Sequence, residues 1–266
     1  MVLFNLNAVI AGGEAQSTEA NPAANAPAVV APTALPPTVL TPTDSNKPAT
    51  KVTLTPYVAE YKIEKLGVAV GHAVMTLSDK GNGIWEYSSR VKPYGVASLF
   101  TKQEVVESSQ VRLMPDNSIK PLIYEHKHKG GDKAKNVQYV YDWNQKTVTT
   151  VVNGAPKQFP LDKPLYDPQS AQLFLSIALQ TGAKSIEVPV LDDGEINNYT
   201  LSFSGTETLK TKLGEYQTQK LSRVHGKRVT HTWIAPRLNF IPVRIEQIKN
   251  QDSSVSMSLD SVRWSQ

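Results

Sequence analysis

The stretch YVAEYKIEKLGVAVGHAVMTL, residues 57–77, contains two runs rich in β-branched and aromatic residues. The first run covers Tyr57–Ile63 and the second covers Gly67–Leu77, with only Glu64-Lys65-Leu66 between them. Two such runs joined by so short a link predict a pair of neighbouring antiparallel strands. The turn residues Gly81-Asn82-Gly83 follow, and Trp85–Val91 is the next predicted strand.

The same pattern continues to the end of the chain. Strand-prone runs alternate with turn signals about every 8–12 residues, which is typical of a large antiparallel sheet. We therefore predict a mostly β domain whose sheet curls into a partial or closed barrel. The further predicted strands are Glu104–Leu113, Lys120–His128, Val137–Trp143, Thr147–Val152, Ser185–Leu191, Tyr199–Ser204, Glu207–Lys212, Tyr216–Val224, Lys227–Ala235, Ile241–Lys249 and Ser254–Trp264.

One helix is predicted, at about residues 168–181. Asp167 is a suitable N-cap, Pro168 suits the first helical position, and Gly182 is a typical C-terminal stop. Apolar residues occupy most of the helix surface, so we expect it to pack against the sheet. Phe174 lies on its apolar face.

The first 50 residues differ in composition from the rest. They contain no Tyr and no Trp, and they are rich in Ala and Pro. Residues 1–15 are interpreted as a signal-peptide remnant, although no basic residue precedes the apolar run. Residues 16–50 are predicted to be a disordered tether, because their composition offers no core. Residues 51–266 would then form a single β-rich domain in the periplasm; the alternative is a disordered tail on a cytosolic protein.

The composition excludes several classes of activity. The chain has no Cys, so it has no disulfide and no thiolate catalysis or thiolate metal site. A net charge of +4 is too small to indicate sequence-specific binding of nucleic acid. The chain contains no G-x-S-x-G elbow, phosphate loop or dinucleotide fingerprint. We therefore assign no catalytic residue and no cofactor, and we regard enzymatic activity as the less favoured interpretation.

His126 and His128 alternate with lysines in one predicted strand. Their spacing is compatible with a zinc site, but the positive neighbours oppose a cation, so we assign no metal and expect a solvated basic hairpin. The same hairpin is a candidate contact for an anionic surface or lipid headgroup. Its lysines are Lys127, Lys129, Lys133 and Lys135.

Exposed apolar side chains are expected in the segment Pro93–Phe100. The segment is interpreted either as a plug for one end of the barrel or as a lid for an apolar ligand. In the strand Val137–Trp143, aromatic residues share one face. The candidate ligand-binding residues are Tyr94, Leu99, Phe100, Tyr139, Tyr141, Trp143 and Phe174.

Seven short segments follow one another along the chain in a characteristic order and spacing: Tyr61 with Gly67–Ala73, Pro93-Tyr94-Gly95 with Ser98-Leu99-Phe100, Glu107-Ser108-Ser109, Ile119-Lys120-Pro121, Tyr166–Ser170, Trp233-Ile234-Ala235 and Ile241–Ile245. Together they resemble a bacterial exported family known as a domain of unknown function, number 3108. The resemblance implies an exported, periplasmic, β-rich domain without an agreed activity or catalytic residue.

These observations favour a non-enzymatic envelope protein that holds an apolar or amphipathic ligand, such as a lipid or an acyl segment, inside the curved sheet. The alternative is a structural or interaction module that binds a protein or a glycan through exposed aromatic residues. A hydrolase is the third interpretation.

Overall fold

Fourteen strands of the chain pair into one antiparallel sheet. The computed structural model describes residues 51–95, 97–100, 103–130, 134–249 and 253–265, without the side chains of Leu99, Phe100 and Ser253. Along the first strand, Tyr57, Ala59, Tyr61 and Ile63 are buried while the residues between them are more exposed. This alternation produces one buried and one solvated face, because successive side chains of a strand point to opposite sides.

The elements follow one another with short connections. The strands are β1 (Tyr57–Lys65), β2 (Val68–Gly81), β3 (Ile84–Pro93), β4 (Glu104–Leu113), β5 (Ile119–Lys129), β6 (Lys135–Asp142), β7 (Thr147–Val152), β8 (Ala155–Pro160), β9 (Ser185–Asp192), β10 (Glu195–Thr211), β11 (Gly214–His225), β12 (Arg228–Ala235), β13 (Ile241–Lys249) and β14 (Ser253–Trp264). The helices are α1 (Ala97–Phe100), α2 (Pro168–Gln180) and a 3-10 turn (Pro236–Leu238).

The sheet consists of two meanders. The strand order is β8-β7-β6-β5-β4-β3-β2-β1-β14-β13-β12-β11-β10-β9, so the first and last strands pair in the middle. The edge strands β8 and β9 are consecutive in sequence, and α2 lies between them. The predicted barrel is therefore an open, curled sheet.

Side-chain contacts and one isolated β-bridge connect the β8 side of the sheet to the β9 side. Lys135 at the start of β6 forms an ion pair with Asp193, which belongs to the β9–β10 turn. Lys157 on β8 donates to the carbonyl oxygen of Gly194 at 3.3 Å. The segment before α2 adds a parallel bridge between Tyr166 and Val190. The curl is thus held without a ladder between β8 and β9.

The helix α2 lies on the concave face and begins where the sequence predicts. Asp167 is its N-cap and Pro168 its first residue, and the chain leaves the helix through Gly182 at φ 88°. The positive φ suits glycine because a Cβ is strained in that region. The helix packs against β3, β4, β5 and β9.

The β10–β11 hairpin is longer than its neighbours and carries a bulge between Phe203 and Gly205. We call the part of the hairpin beyond this bulge, residues 206–216, the hairpin arm. Within the arm, Glu207 accepts a hydrogen bond from the Trp233 indole at 2.7 Å. Lys212 near the tip forms an ion pair with Asp260 of β14. The arm therefore reaches across the outer face of β12, β13 and β14.

Two strand predictions need correction. The runs Tyr199–Ser204 and Glu207–Lys212 were expected to be separate strands, but they form the single strand β10. Glycine at the bulge interrupts the pattern without interrupting the pairing. The strand β8 was not predicted, because Pro156 and Pro160 weaken its strand pattern; proline is tolerated there since β8 lies at an edge.

Candidate functional site

A cluster of buried polar side chains joins the start of α2 to the concave face of β3, β4 and β5. We refer to it as the polar network. Each member is buried or nearly so, and each hydrogen bonds to another member. The members are Ser89, Glu107, Ser109, Tyr124, His126, Asp167, Gln169 and Ser170.

Asp167 is fully buried and accepts four hydrogen bonds. Its Oδ1 accepts from the backbone N–H groups of Gln169 and Ser170, both at 2.9 Å. Its Oδ2 accepts from the hydroxyls of Ser109 and Ser170, both at 2.8 Å. Burial raises the pKa of Asp167 to about 6, although these hydrogen bonds favour the carboxylate. Asp167 thus caps the helix and ties it to β4.

Glu107 is the second carboxyl of the network and lies on β4. Its Oε1 accepts from the Tyr124 hydroxyl at 2.8 Å and lies 3.0 Å from His126 Nδ1, while its Oε2 accepts from Gln169 Nε2 at 2.9 Å. Burial by itself raises the pKa of this carboxyl, but the hydrogen bonds and the His126 charge outweigh burial and lower the pKa of Glu107. Glu107 therefore stays ionised and holds three buried donors.

Gln169 connects the two carboxyls. The side-chain amide of this first-turn residue donates to Ser89 Oγ on β3 and to Glu107 Oε2 on β4, both at 2.9 Å. Its carbonyl oxygen is buried without a hydrogen-bond partner. The helix start is consequently fixed to two neighbouring strands by one side chain.

The arrangement positions a helix and contains no nucleophile poised for attack. The Ser109 hydroxyl donates to Asp167, and the His126 nitrogen Nδ1 faces Glu107. A serine nucleophile needs a histidine base within hydrogen-bond distance. The side-chain partners of Ser89, Ser109 and Ser170 are Gln169 and Asp167 and not a histidine, so the polar network acts as a structural anchor.

The raised pKa of Asp167 predicts a pH-dependent stability. Between pH 4 and pH 6 the folded state keeps a proton that the unfolded state, with a pKa of about 3.9, has released. The stability that Asp167 contributes is thus complete below pH 4 and is lost as the pH rises through 6. We expect the difference in unfolding free energy between the wild type and Asp167→Asn to fall by about 2–3 kcal/mol from pH 4 to pH 7.

Urea unfolding of both proteins at the two pH values measures this difference. The contribution of Glu107, whose pKa is shifted in the opposite direction, cancels because both proteins contain Glu107. A difference that stays constant across the range would show that Asp167 is ionised throughout.

The sequence-predicted ligand residues lie in separate places. Tyr139 and Tyr141 are buried in a small core with Leu161, Leu165 and Leu191. Trp143 packs against that core and donates to the carbonyl oxygen of Pro121 at 2.7 Å. Phe174 is half-buried in the main core, with its ring stacked on Tyr166 at 4.7 Å. Tyr94 is exposed, and the side chains of Leu99 and Phe100 lie outside the described part of the chain.

The basic hairpin differs from its prediction. His126 and His128 point inward with Tyr124, so they are not solvated. Lys127 pairs with Glu125, and Lys135 pairs with Asp193. Lys129 is exposed, and Lys133 lies outside the described residues, as does the whole segment 1–50. The inward position of the histidines follows from the register of β5, which the spacing of the residues alone does not specify.

Three exposed apolar side chains lie together at one end of the sheet, and we call them the apolar rim: Leu66, Val68 and Tyr94. They are 65%, 61% and 59% exposed. Leu66 and Val68 belong to the β1–β2 turn region, and the Tyr94 N–H donates to Val70 of β2 at 3.0 Å. Large neighbouring apolar groups left in solvent mark interaction or ligand sites on soluble proteins.

At the opposite end of the sheet, α2 faces β1, β2, β12 and β13 across a small cleft of about 30 Å³, lined among others by Leu173, Leu175, Tyr57 and Ile234. A cleft of that size has room for only about two or three water molecules, so it does not admit an acyl chain.

A family model and solved structures are similar to this chain. The family model described as "protein of unknown function (DUF3108)" matches residues 56–260. A beta-barrel-like protein of the domain of unknown function DUF1849 from Brucella abortus has a TM-score of 0.55 and 10% identity, covering 81% of this chain and all of that one. A protein with a YmcC-like fold from Bacteroides fragilis, proposed to be exported, has a TM-score of 0.32 and 13% identity, covering 80% and 97%. A search of curated proteins gave no significant match.

Proposed function

We propose a function from the premise that this chain belongs to the DUF3108 family of proteins of unknown function. The chain is a non-enzymatic periplasmic envelope protein that binds an apolar or amphipathic ligand, a lipid or an acyl segment, on the concave face of its curled sheet. The ligand enters at the apolar rim. The exposure of Leu66, Val68 and Tyr94 at one end of the sheet is the observation that supports this proposal most directly.

The interior of the sheet is compatible with an apolar ligand. The inner residues of β1 and its neighbour β14, including Tyr61, Ile63 and Met257, are fully buried in the main core, and the proposed ligand extends this core from the rim end. The helix α2 packs on β3, β4, β5 and β9, and its first turn is fixed there by the polar network. A helix held at one place on a curled sheet is a suitable wall for a ligand site, because such sites are concave, mostly apolar and largely preformed.

Location in the periplasm is part of the same proposal. It rests on the apolar, small-residue pattern of residues 1–15. No helix in the described part of the chain is long and apolar enough to cross a membrane. Fractionation of cells that express the full-length chain tests the location: recovery in the cytosolic fraction contradicts it.

The rim is tested with a fluorescent fatty-acid probe. We expect Leu66→Ser/Tyr94→Ser to bind the probe several-fold more weakly than the wild type, because exposed apolar area at the entrance is lost. The measurement is a fluorescence titration at micromolar protein, with circular dichroism to confirm the fold.

A matched control is available on the outer face. Ile123 and Val140 are exposed neighbours across β5 and β6, so Ile123→Ser/Val140→Ser removes two exposed apolar side chains away from the rim. We expect wild-type binding from this variant. If the wild type binds no probe, or if both double variants bind equally well, the ligand proposal fails and an interaction module becomes the better hypothesis.

A further inference from the structure

A row of polar side chains crosses the concave face close to the rim end. In the register, Arg223 of β11 lies opposite Thr230 of β12, and Thr230 lies opposite Gln247 of β13. All three are buried, each with 5% of its surface exposed. The neighbours of Arg223, Ser222 and Val224, are more exposed, which places Arg223 on the inner face. A polar row therefore interrupts the apolar interior near the rim end.

Arg223 is buried with unused hydrogen-bond donors. Its Nε and Nη1 are buried and have no hydrogen-bond partner. Its guanidinium carbon lies 4.3 Å from the centroid of the Tyr199 ring, so the ring supports one face of the guanidinium. A buried charge whose donors are left unpaired destabilises a protein, because it has lost its hydration without gaining a partner. Such a group indicates a place that is completed by a partner.

The unpaired donors of the guanidinium favour an anion as that partner. Burial is the largest influence on Arg223 and lowers its pKa; Tyr199 and Asp192 act in the opposite direction, and Arg228 adds a smaller lowering effect. Among the ion pairs between described side chains, none joins a carboxylate to Arg223. The edge of the guanidinium that carries Nε and Nη1 is the edge that binds oxyanions in a bidentate manner.

We propose that Arg223 binds the oxyanion headgroup of an amphipathic ligand, a carboxylate or a phosphate, whose acyl chain lies along the apolar concave face. This inference rests on the proposed function and deepens it by naming the ligand class. Thr230 and Gln247 lie beside Arg223 in the same row and extend the polar surface available to the headgroup.

The test compares headgroups on one acyl chain. A fluorescent fatty acid with a free carboxylate, its methyl ester and the corresponding alkyl phosphate are titrated against the full chain and against Arg223→Met. We expect the variant to bind the acid and the phosphate at least about tenfold more weakly, as for loss of a charge-assisted contact, and to bind the ester like the wild type. The relative affinity of the wild type for acid and phosphate identifies the preferred headgroup.

Stability gives a second readout. Without probe, Arg223→Met should melt no lower than the wild type, because methionine replaces an incompletely paired buried charge. With the fatty acid, the wild type should gain melting temperature and the variant should not. If Arg223→Met does not fold, Arg223→Lys replaces it in the test. Lysine keeps the positive charge but cannot make the bidentate contact of a guanidinium, so Arg223→Lys should bind the acid more weakly than the wild type does.

Arg237→Met is the matched control, because Arg237 is exposed in the turn between β12 and β13. It should bind all three probes like the wild type. If acid and ester bind the wild type equally and Arg223→Met changes neither, the role of Arg223 is overturned while the proposed function stands. If no probe binds the wild type, both are overturned.

Discussion

Replacing Glu107 by Ala should lower the free energy of unfolding by about 3–5 kcal/mol, the range found when one partner of a buried pair is removed. Three side chains lose their acceptor in this variant: Tyr124, His126 and Gln169. Glu107 and His126 are only 13% and 12% exposed, so water replaces the carboxylate poorly. Urea unfolding at pH 7 measures the loss.

Two further variants test whether the loss of stability is specific to the buried Glu107 carboxylate. Glu107→Gln keeps an acceptor oxygen and should cost about 1–2 kcal/mol. Glu86→Ala removes a carboxylate from β3, next to β4, on the outer face, where its partners are Lys80 and Gln110. That change should cost less than about 1 kcal/mol. Equal losses for Glu107→Ala and Glu86→Ala would contradict the role of the polar network.

Replacing Trp233 by Ala should also cost about 3–5 kcal/mol, as for other buried tryptophans. Trp233 is buried on the outer face of β12, under the hairpin arm. Its indole donates to Glu207 at 2.7 Å, and the Lys220 ammonium lies 4.9 Å from its ring centroid. Urea unfolding measures the loss, and limited proteolysis should show new cleavage within residues 206–216, because the arm loses its anchor.

A conservative substitution of Trp233 and the removal of a second tryptophan serve as controls. Trp233→Phe keeps a ring but loses the N–H, and we expect a loss of about 1–2 kcal/mol. Trp264→Ala removes a tryptophan that is 40% exposed at the end of β14, where it meets the edge of Tyr57. The free energy of unfolding of this variant should fall by about 1 kcal/mol, as for partly exposed side chains. Unchanged proteolysis in Trp233→Ala would show that the arm is held by its other contacts, such as the ion pair of Lys212 with Asp260.

The sequence already contained one signal for the polar network. The segments Glu107-Ser108-Ser109 and Tyr166–Ser170 belong to the family resemblance, and the structure joins them directly: Ser109 donates to Asp167, and Gln169 donates to Glu107. Their contact was not predictable from spacing, because 58 residues separate Ser109 from Asp167. The sequence indicated the polar network only through the presence of these two polar motifs among apolar residues.

By itself the sequence determined the local features of this protein. Period-two burial predicts β1, turn residues predict most strand ends, and Asp167, Pro168 and Gly182 predict the bounds of α2, because each depends on residues only a few positions apart. The class of fold, a curled antiparallel sheet with one principal helix, follows from these elements and their spacing.

The tertiary structure alone decided which side chains meet. Alternation assigns a residue to one of two faces, but a shift of one residue exchanges the faces, so the inward position of His126 and Arg223 depends on the register across the whole sheet. The placement of α2 on β3 and β4 likewise depends on how the two meanders curl. For that reason the ligand residues predicted from aromatic content lie in separate clusters, whereas Arg223, which no local pattern marks, lies on the inner face with unpaired donors.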